Sequence, residues 1–116
     1  MQRKFRLTRS EDFKRVRRFG KSYAHPLVVL IAQTNDEAQL RVGVAAGRTV
    51  GTAVKRNRAK RLMREAMRPL VPNIASGWDL VLIARPVLLS STLTEIREAL
   101  LILLRRAKLV SPTDAA

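Results

Sequence analysis

The sequence predicts a single α+β domain in which one sheet packs against helices, in the order helix, strand, strand, helix, strand, helix. Its 116 residues suit one domain. An apolar fraction of 47% is enough for a hydrophobic core. Apolar residues recur at helical spacing in some segments and form short continuous runs of strand length in others. We expect residues 1–109 to form the domain and residues 110–116 to be a disordered tail.

The first element is expected to be a helix over residues 9–19. Thr8 and Glu11 have the spacing of a capping box, in which each side chain satisfies the backbone amide of the other residue. Gly20 is a typical residue for the end of a helix. Phe13, inside this helix, is either a core residue or an aromatic that stacks on a nucleic-acid base.

Two strands follow the first helix. The run PLVVLIAQ (residues 26–33) is rich in β-branched residues, and the run LRVGVAA (residues 40–46) alternates imperfectly. The polar segment TNDE (residues 34–37) supplies a turn between them. We therefore expect these two strands to pair as a hairpin, and a further short strand could lie in residues 48–51.

The second half of the chain predicts a basic helix, a buried strand and a final helix. The basic helix carries one apolar stripe, formed by Ala59, Leu62, Met63, Ala66 and Leu70, and ends at Pro69 and Pro72. The run WDLVLIAR (residues 78–85) is nearly all apolar, which is typical of a strand buried on both faces. Thr92 and Glu95 form a second capping box at the start of a last amphipathic helix.

Composition favours a nucleic-acid partner. The net charge is +14, with 17 Arg and 6 Lys against 9 acidic residues. A balance this basic indicates nucleic acid or, less often, an anionic membrane surface. The Arg bias favours nucleic acid because the guanidinium group pairs with phosphate bidentately and stacks on bases. The chain has no cysteine, which excludes disulfides and thiolate zinc sites. With no apolar run long enough to span a bilayer, we expect a cytoplasmic protein.

The residues do not indicate an autonomous enzyme. His25 is the sole histidine, and the acids are scattered at positions that suit helix caps, helix pairs or strand ends. Asp79, just before the buried strand, is the acid with the best claim to a site role. Without a convergent set of titratable groups, phosphodiester cleavage by protein groups alone is disfavoured.

The segment GTAVKRNRAKRLMREAMR resembles the signature of the bacterial ribonuclease P protein family, Gly-x-Ala-Val-x-Arg-Asn-Arg-x-Lys-Arg. The matching residues are Gly51, Ala53, Val54, Arg56, Asn57, Arg58, Lys60 and Arg61. LTRSEDFKRVRRFG, RVGVAA and DLVLIARP are similar to other segments of the family, in the same order. The resemblance covers residues 6–109.

This resemblance implies a fold like domain 2 of ribosomal protein S5. Its sheet has four strands, with three helices, and the basic helix lies in a left-handed β–α–β crossover, against the usual right-handed rule. It also implies that the catalyst is an RNA subunit, which removes the 5′ leader of precursor tRNA with Mg²⁺ bound mainly by that RNA. The expected partners are therefore the catalytic RNA and precursor tRNA, with no membrane and no obligate protein partner.

The resemblance assigns roles to individual residues. Those expected to contact the catalytic RNA are Arg58, Arg61, Arg64 and Arg68. Those expected at the leader-binding cleft between the first helix and the sheet are Phe13, Arg17, Ile31, Arg48, Arg56, Asn57 and Lys60. Arg17 and Ile31 stand where the family often has aromatic residues. No metal ligand is assigned, although a metal ion could lie near Asn57.

One alternative function remains open. A ribosomal protein or an RNA chaperone on the same fold would bind RNA without a cleavage partner. A basic helix can also be a solvated surface, but seven cations and one acid over residues 54–68 make that interpretation weak.

Overall fold

The computed structural model describes residues 3–110 and confirms the α+β class. The four strands are β1 (Lys21–Ala24), β2 (Val28–Thr34), β3 (Arg41–Ala45) and β4 (Trp78–Ala84). The three α-helices of the described residues are α1 (Ser10–Phe19), α2 (Ala53–Met67) and α3 (Leu93–Arg106). Short 3₁₀ helices, such as Arg48–Val50 and Pro86–Ser90, link several of these elements.

The four strands form one mixed sheet in the order β1-β2-β4-β3. Strand β2 is antiparallel to both β1 and β4, whereas β3 runs parallel to β4. Helix α2 is therefore the connection of a β3–α2–β4 crossover, as parallel neighbours require.

The expected hairpin between β2 and β3 is wrong, because β4 lies between these two strands. The hairpin of this sheet is β1–β2, whose first strand, KSYA, is short and mostly exposed and so lacks the apolar pattern of a strand. The further strand considered for residues 48–51 is also wrong, since Arg48–Val50 is a 3₁₀ helix.

One of the two expected capping boxes forms. At α3, Thr92 Oγ1 accepts from the Glu95 amide at 3.1 Å, and Glu95 Oε1 accepts from the Thr92 amide at 2.8 Å. The Thr8–Glu11 box is wrong, because α1 begins with Arg9 as its N-cap and no side chain caps it. The preceding Leu7 is instead tied to β3, where its amide donates to the Val42 carbonyl at 2.8 Å.

The two faces of the sheet bury different amounts of apolar surface. Helices α2 and α3 cover one face with a large core, in which Leu30, Met63, Leu80 and Leu103 are fully buried. Helix α1 covers part of the other face over a small cluster formed by Leu7, Val16, Ile31 and Val81. Five of the seven residues of β4 are buried, and they include members of both clusters, which confirms that the strand is covered on both faces.

The residues at the expected C-terminal boundary of the domain pack against the core. Leu109 and Val110 are buried against the large core, and the Leu109 carbonyl accepts from the Ala75 amide at 3.0 Å. The rest of the expected tail, residues 111–116, lies outside the described residues. No helix within residues 3–110 is long and apolar enough to cross a membrane.

Candidate nucleic-acid interface

Helix α2 presents cations in two directions. Its buried stripe, formed by Ala59, Met63, Ala66 and Met67, faces the core, as the apolar spacing predicts. Arg58 and Arg61 point away from this stripe and are exposed. Lys60 and Arg64 lie on a flank of the helix and are half-buried. The helix therefore offers one open cationic face and one sheltered cationic face.

The start of α2 is fixed by local backbone geometry. Gly51 has a φ of 136°, which residues with a side chain rarely adopt. This backbone conformation explains why the motif has a glycine at position 51. Thr52 follows as the N-cap, and its hydroxyl accepts from the Lys55 amide at 3.4 Å.

The sheltered face of α2 borders a cavity of about 230 Å³, which we call the cationic cavity. It is lined by Arg6, Leu7, Thr8, Phe13, Val42, Val44, Lys60 and Arg64. Arg6 reaches this place because it forms an isolated parallel bridge with Val42 at the edge of β3. The cavity thus joins the N-terminal segment, α1, β3 and α2.

The three cations of this cavity, Arg6, Lys60 and Arg64, have no acidic partner among residues 3–110. Burial lowers the pKa of Arg64, and the nearby charge of Arg6 lowers it further. Three cations held together without an acid repel one another, and an anion between them would relieve that repulsion. A phosphate group is therefore the ligand that this cavity suits best.

Phe13 takes part in both the core and the cavity. Its side chain is half-buried, packs against the small cluster and lines the cationic cavity. The ring lies directly over Gly43 of β3, since a Cβ atom added to Gly43 would be 2.5 Å from the Phe13 Cζ atom. The two interpretations of Phe13 are thus compatible: one part of the ring packs on the sheet while another faces the cavity.

The other residues expected at the cleft are placed differently. Arg17 is exposed one turn after Phe13 on α1, and Arg48 is exposed in the 3₁₀ helix that precedes α2. Ile31 is only 5% exposed and packs in the small cluster beneath α1. Its side chain therefore supports the cleft from below and does not form an open wall.

Three further residues predicted for the site lie near the ends of α2: Arg56 and Asn57 near its start and Arg68 just after its end. Asn57 is exposed, whereas Arg56 is half-buried and its Nε atom is buried without a hydrogen-bond partner among the described residues. Arg68 differs from the other expected RNA contacts because its guanidinium pairs with Glu65 at 2.6 Å. That pair is exposed and would be weak in competition with RNA phosphates.

The described residues contain no group of three or more His, Cys, Asp or Glu side chains that could hold a metal ion. Asn57 lies between Arg56 and Arg58, and the first turn of α2 contains no acid. A metal ion near Asn57 would therefore need its negatively charged ligands from a bound nucleic acid.

A second polar cluster, which the sequence did not predict, lies at the start of β4. Asp79 is fully buried and accepts from Arg41 through two bonds of 2.9 and 2.8 Å and from Asn35 at 2.8 Å. Arg15 of α1 also donates to Asp79, and Asp12 pairs with Arg15 at 3.3 Å. We call these five residues the Asp79 cluster. A polar residue at the head of an apolar strand was the only sequence signal for it.

Burial raises the pKa of Asp79, but the hydrogen bonds from its three donors outweigh burial, and the pKa is lower than the ordinary value. Asp79 is therefore ionised at neutral pH and satisfied by its partners. This arrangement is typical of a structural ion pair, because a general acid or base needs a proton that it can exchange near neutral pH.

Fold and interface together define a small α+β nucleic-acid-binding protein with a basic helix beside a phosphate-sized cavity. A family model described as Ribonuclease P matches residues 1–108. The ribonuclease P protein component of Chloroflexus aurantiacus is 39% identical over 98% of this chain and 86% of that protein. That of Exiguobacterium is 41% identical over 93% of this chain and 94% of that protein.

Solved structures agree with these sequence relatives. The RNase P protein of Staphylococcus aureus has a TM-score of 0.81 at 29% identity, covering 92% of this chain and 98% of that one. The RNase P protein of Thermotoga maritima has a TM-score of 0.77 at 33% identity, covering 87% of this chain and 96% of that one. The chain belongs to the ribonuclease P protein family.

Proposed function

We propose that this protein binds the catalytic RNA of ribonuclease P with one face of α2 and the 5′ leader of precursor tRNA with the other side of the same helix. The observation that carries the proposal is the division of the α2 cations. Arg58 and Arg61 are open to a large partner, whereas Lys60 and Arg64 turn into the cationic cavity beside Phe13. A subunit that joins an RNA catalyst to an RNA substrate needs two such surfaces.

The open face suits the phosphate backbone of a folded RNA. Exposed arginines pair bidentately with phosphates, and the helix carries them at its outer surface, where a large partner has access. Arg68 would extend this face by one turn when its ion pair with Glu65 is broken. Binding of this kind depends mainly on counterion release and is not specific for sequence.

The sheltered face suits a single-stranded leader. A phosphate in the cationic cavity would contact Arg6, Lys60 and Arg64, and an adjacent base could stack on the exposed part of the Phe13 ring. Arg17 and Arg48 supply further cations near this path. Stacking and phosphate contacts do not depend on base identity, which suits an enzyme that processes many precursor tRNAs.

We assign the cleavage chemistry to the RNA subunit, with Mg²⁺ held by RNA phosphates. Residues 3–110 do not fit a metal site of their own, because they contain no group of three or more potential metal ligands and the first turn of α2, beside Asn57, has no acid. The protein would instead supply binding and orientation. We propose the cytoplasm as its location, since its RNA partners are there.

The alternative of a ribosomal protein or RNA chaperone is not favoured, because the family model and the relatives are all ribonuclease P proteins. Reconstitution tests the proposal directly. Cleavage of a precursor tRNA should require the protein, the catalytic RNA and Mg²⁺ together under physiological salt. Leader removal by protein that is free of RNA would instead establish an autonomous nuclease, and no stimulation of the RNA would support a separate binding role.

The salt dependence of binding tests the open face. Replacing Arg58 or Arg61 by Ala should weaken binding to the catalytic RNA and reduce the slope of log K against log salt by about one unit. Lys108→Ala removes the same charge from an exposed position two residues after α3 and serves as the control. Equal slopes for all three variants and the parent protein would show that α2 faces something else.

The leader contact is tested with Phe13→Ala. We expect precursor tRNA to bind the variant holoenzyme about 1–3 kcal/mol more weakly, while mature tRNA binds normally. The stability loss should be smaller than the roughly 3–5 kcal/mol typical of a fully buried Phe, because the Phe13 side chain is only partly buried. Equal losses for both tRNAs would assign Phe13 to the core alone.

A further inference from the structure

The Asp79 cluster links α1 to the sheet through charge. Asp79 belongs to β4, Arg41 to β3 and Arg15 to α1, so a single buried carboxylate holds three elements together. Asp12 of α1 adds contacts to both arginines, at 3.3 Å from Arg15 and 3.8 Å from Arg41. Within the cluster two positive and two negative charges balance.

Helix α1 has few apolar contacts to fix its position. Val16 is its only buried residue, whereas α2 buries four residues and α3 buries five. The small cluster beneath α1 has four buried members, against the far larger core on the opposite face. The only other apolar contact of α1 with this cluster is the partly buried Phe13 ring. Apolar contacts are not directional, so these two side chains alone leave the rotation of the helix about its axis loosely defined.

The charged contact supplies the missing direction. At about 100° per residue, Arg15 lies about 100° from Val16 on one side of α1, and Phe13 lies about 60° from Val16 on the other. Fixing Arg15 to Asp79 therefore fixes the rotation of the helix and the position of the Phe13 ring over Gly43. Arg17 lies on the same flank as Phe13 and turns with it.

We propose that Arg15 and Asp79 are positioning residues that set the rotation of α1 and thereby hold Phe13 at the cationic cavity for the leader of the substrate. This inference rests on the proposed function, because its consequence for activity requires that Phe13 contacts the leader. Neither residue is expected to touch RNA itself: Asp79 is fully buried, and Arg15 is engaged by two acids and by Gln33.

The test compares Arg15→Met with Arg18→Met. Both substitutions remove one positive charge from α1 and keep an unbranched side chain, but only the first breaks the contact with Asp79. Arg18 is exposed and packs on the ring of Phe19 at 5.3 Å. Any general loss of attraction for RNA is therefore common to both variants.

The first measurement is the affinity of the reconstituted holoenzyme for tRNA with and without its leader. We expect Arg15→Met to reduce the preference for leader-bearing tRNA on the order of tenfold, because small misplacements of a binding group weaken its contacts. Arg18→Met should retain that preference. A preference retained by Arg15→Met, or lost equally in both variants, would overturn the positioning role.

The second measurement needs no RNA. Phe13 is labelled with 4-fluorophenylalanine in the full chain, its signal is assigned with Phe13→Leu, and fluorine NMR reports the surroundings of the ring. Arg15→Met should shift or broaden this signal, and Arg18→Met should not. Arg15→Lys, which keeps the charge but not the forked geometry, replaces Arg15→Met if that variant does not fold.

The two measurements separate the two proposals. In one outcome, the fluorine signal of Arg15→Met is displaced, but the parent holoenzyme binds tRNA equally well with and without the leader. That result would refute the contact between Phe13 and the leader and would confirm that Arg15 sets the rotation of α1. An unchanged fluorine signal in Arg15→Met would refute the positioning role even where the parent holoenzyme prefers leader-bearing tRNA.

Discussion

The close approach of Phe13 to Gly43 allows a quantitative test of the interface geometry. A Cβ atom at position 43 would lie 2.5 Å from Cζ and 2.9 Å from Cε1 of Phe13, and 3.1 Å from the Leu7 carbonyl oxygen. Favourable carbon–carbon contacts are about 3.5–4.0 Å. In Gly43→Ala the Phe13 ring must therefore move by about 1 Å away from the sheet.

Two opposing effects determine how much Gly43→Ala changes the free energy of unfolding. Overpacking of this kind destabilises by about 1–3 kcal/mol. Replacing Gly by Ala also restricts the unfolded chain and returns about 0.4–1 kcal/mol where the backbone conformation suits Ala. Gly43 is a strand residue without a positive φ, so this second term applies. The free energy of unfolding should fall by about 1–2 kcal/mol.

A double-mutant cycle with Phe13→Leu, measured by urea denaturation, shows whether contact with the Phe13 ring causes the loss of stability. Leu has no Cε or Cζ atoms, so Gly43→Ala should cost little in that background, and the coupling should be about 0.5–3 kcal/mol. Gly47→Ala is the control, because nothing lies within 4 Å of its added Cβ. The same cost of Gly43→Ala in both backgrounds would show that the ring does not lie over Gly43.

Three further predictions concern stability. Asp79→Asn should cost about 3–5 kcal/mol at neutral pH. Because the folded pKa of Asp79 is lowered, its contribution is present above the ordinary value of 3.8 and lost as pH falls further, so an acid titration of stability should be flatter in the variant. Thr92→Ala should cost about 1 kcal/mol in urea denaturation, and Thr94→Ala almost nothing. Gly20→Ala should lower the melting temperature, because its Cβ would lie 2.5 Å from the Val16 carbonyl oxygen, which is backbone and yields little.

Local features of the fold were predicted well from the sequence. The apolar stripe of α2 and the buried run of β4 each depend on the spacing of residues within one element, and both are confirmed. The Thr92–Glu95 box is likewise a contact between residues three apart. Such signals need no knowledge of how elements pack.

Strand neighbours could not be predicted in the same way. The apolar runs of β2 and β3 indicate two strands, but they do not indicate which strand lies alongside each of them. Strand β4, more than 30 residues after β3 in the chain, lies between the two. The capping box at Thr8 failed for a related reason, since the pairing of Leu7 with Val42 fixes where the chain enters α1.

The interface shows the same division between local and distant information. Helical spacing places Lys60, Arg61 and Arg64 together opposite the apolar stripe, and the resemblance assigns Arg64 to the catalytic RNA with Arg58 and Arg61. The structure instead places Arg64 beside Lys60 at the cationic cavity, whereas Arg58 and Arg61 are exposed. Arg6 could not be assigned because it reaches the cationic cavity only through its bridge to Val42. No pattern within residues 3–10 indicates that contact.

The distribution of the acids explains why the basic surface needs an RNA partner. The chain has nine acidic residues against 23 cations, and several of them are already engaged within the protein. Asp12 and Asp79 neutralise Arg15 and Arg41, and Glu95 caps α3. The three cavity cations, together with Arg58 and Arg61 of the open face, are therefore left without acidic partners among residues 3–110. Their mutual repulsion opposes the compact state of the free protein, and phosphates on both faces of α2, as proposed above, would remove it. We therefore expect RNA binding to stabilise this fold through the same side chains.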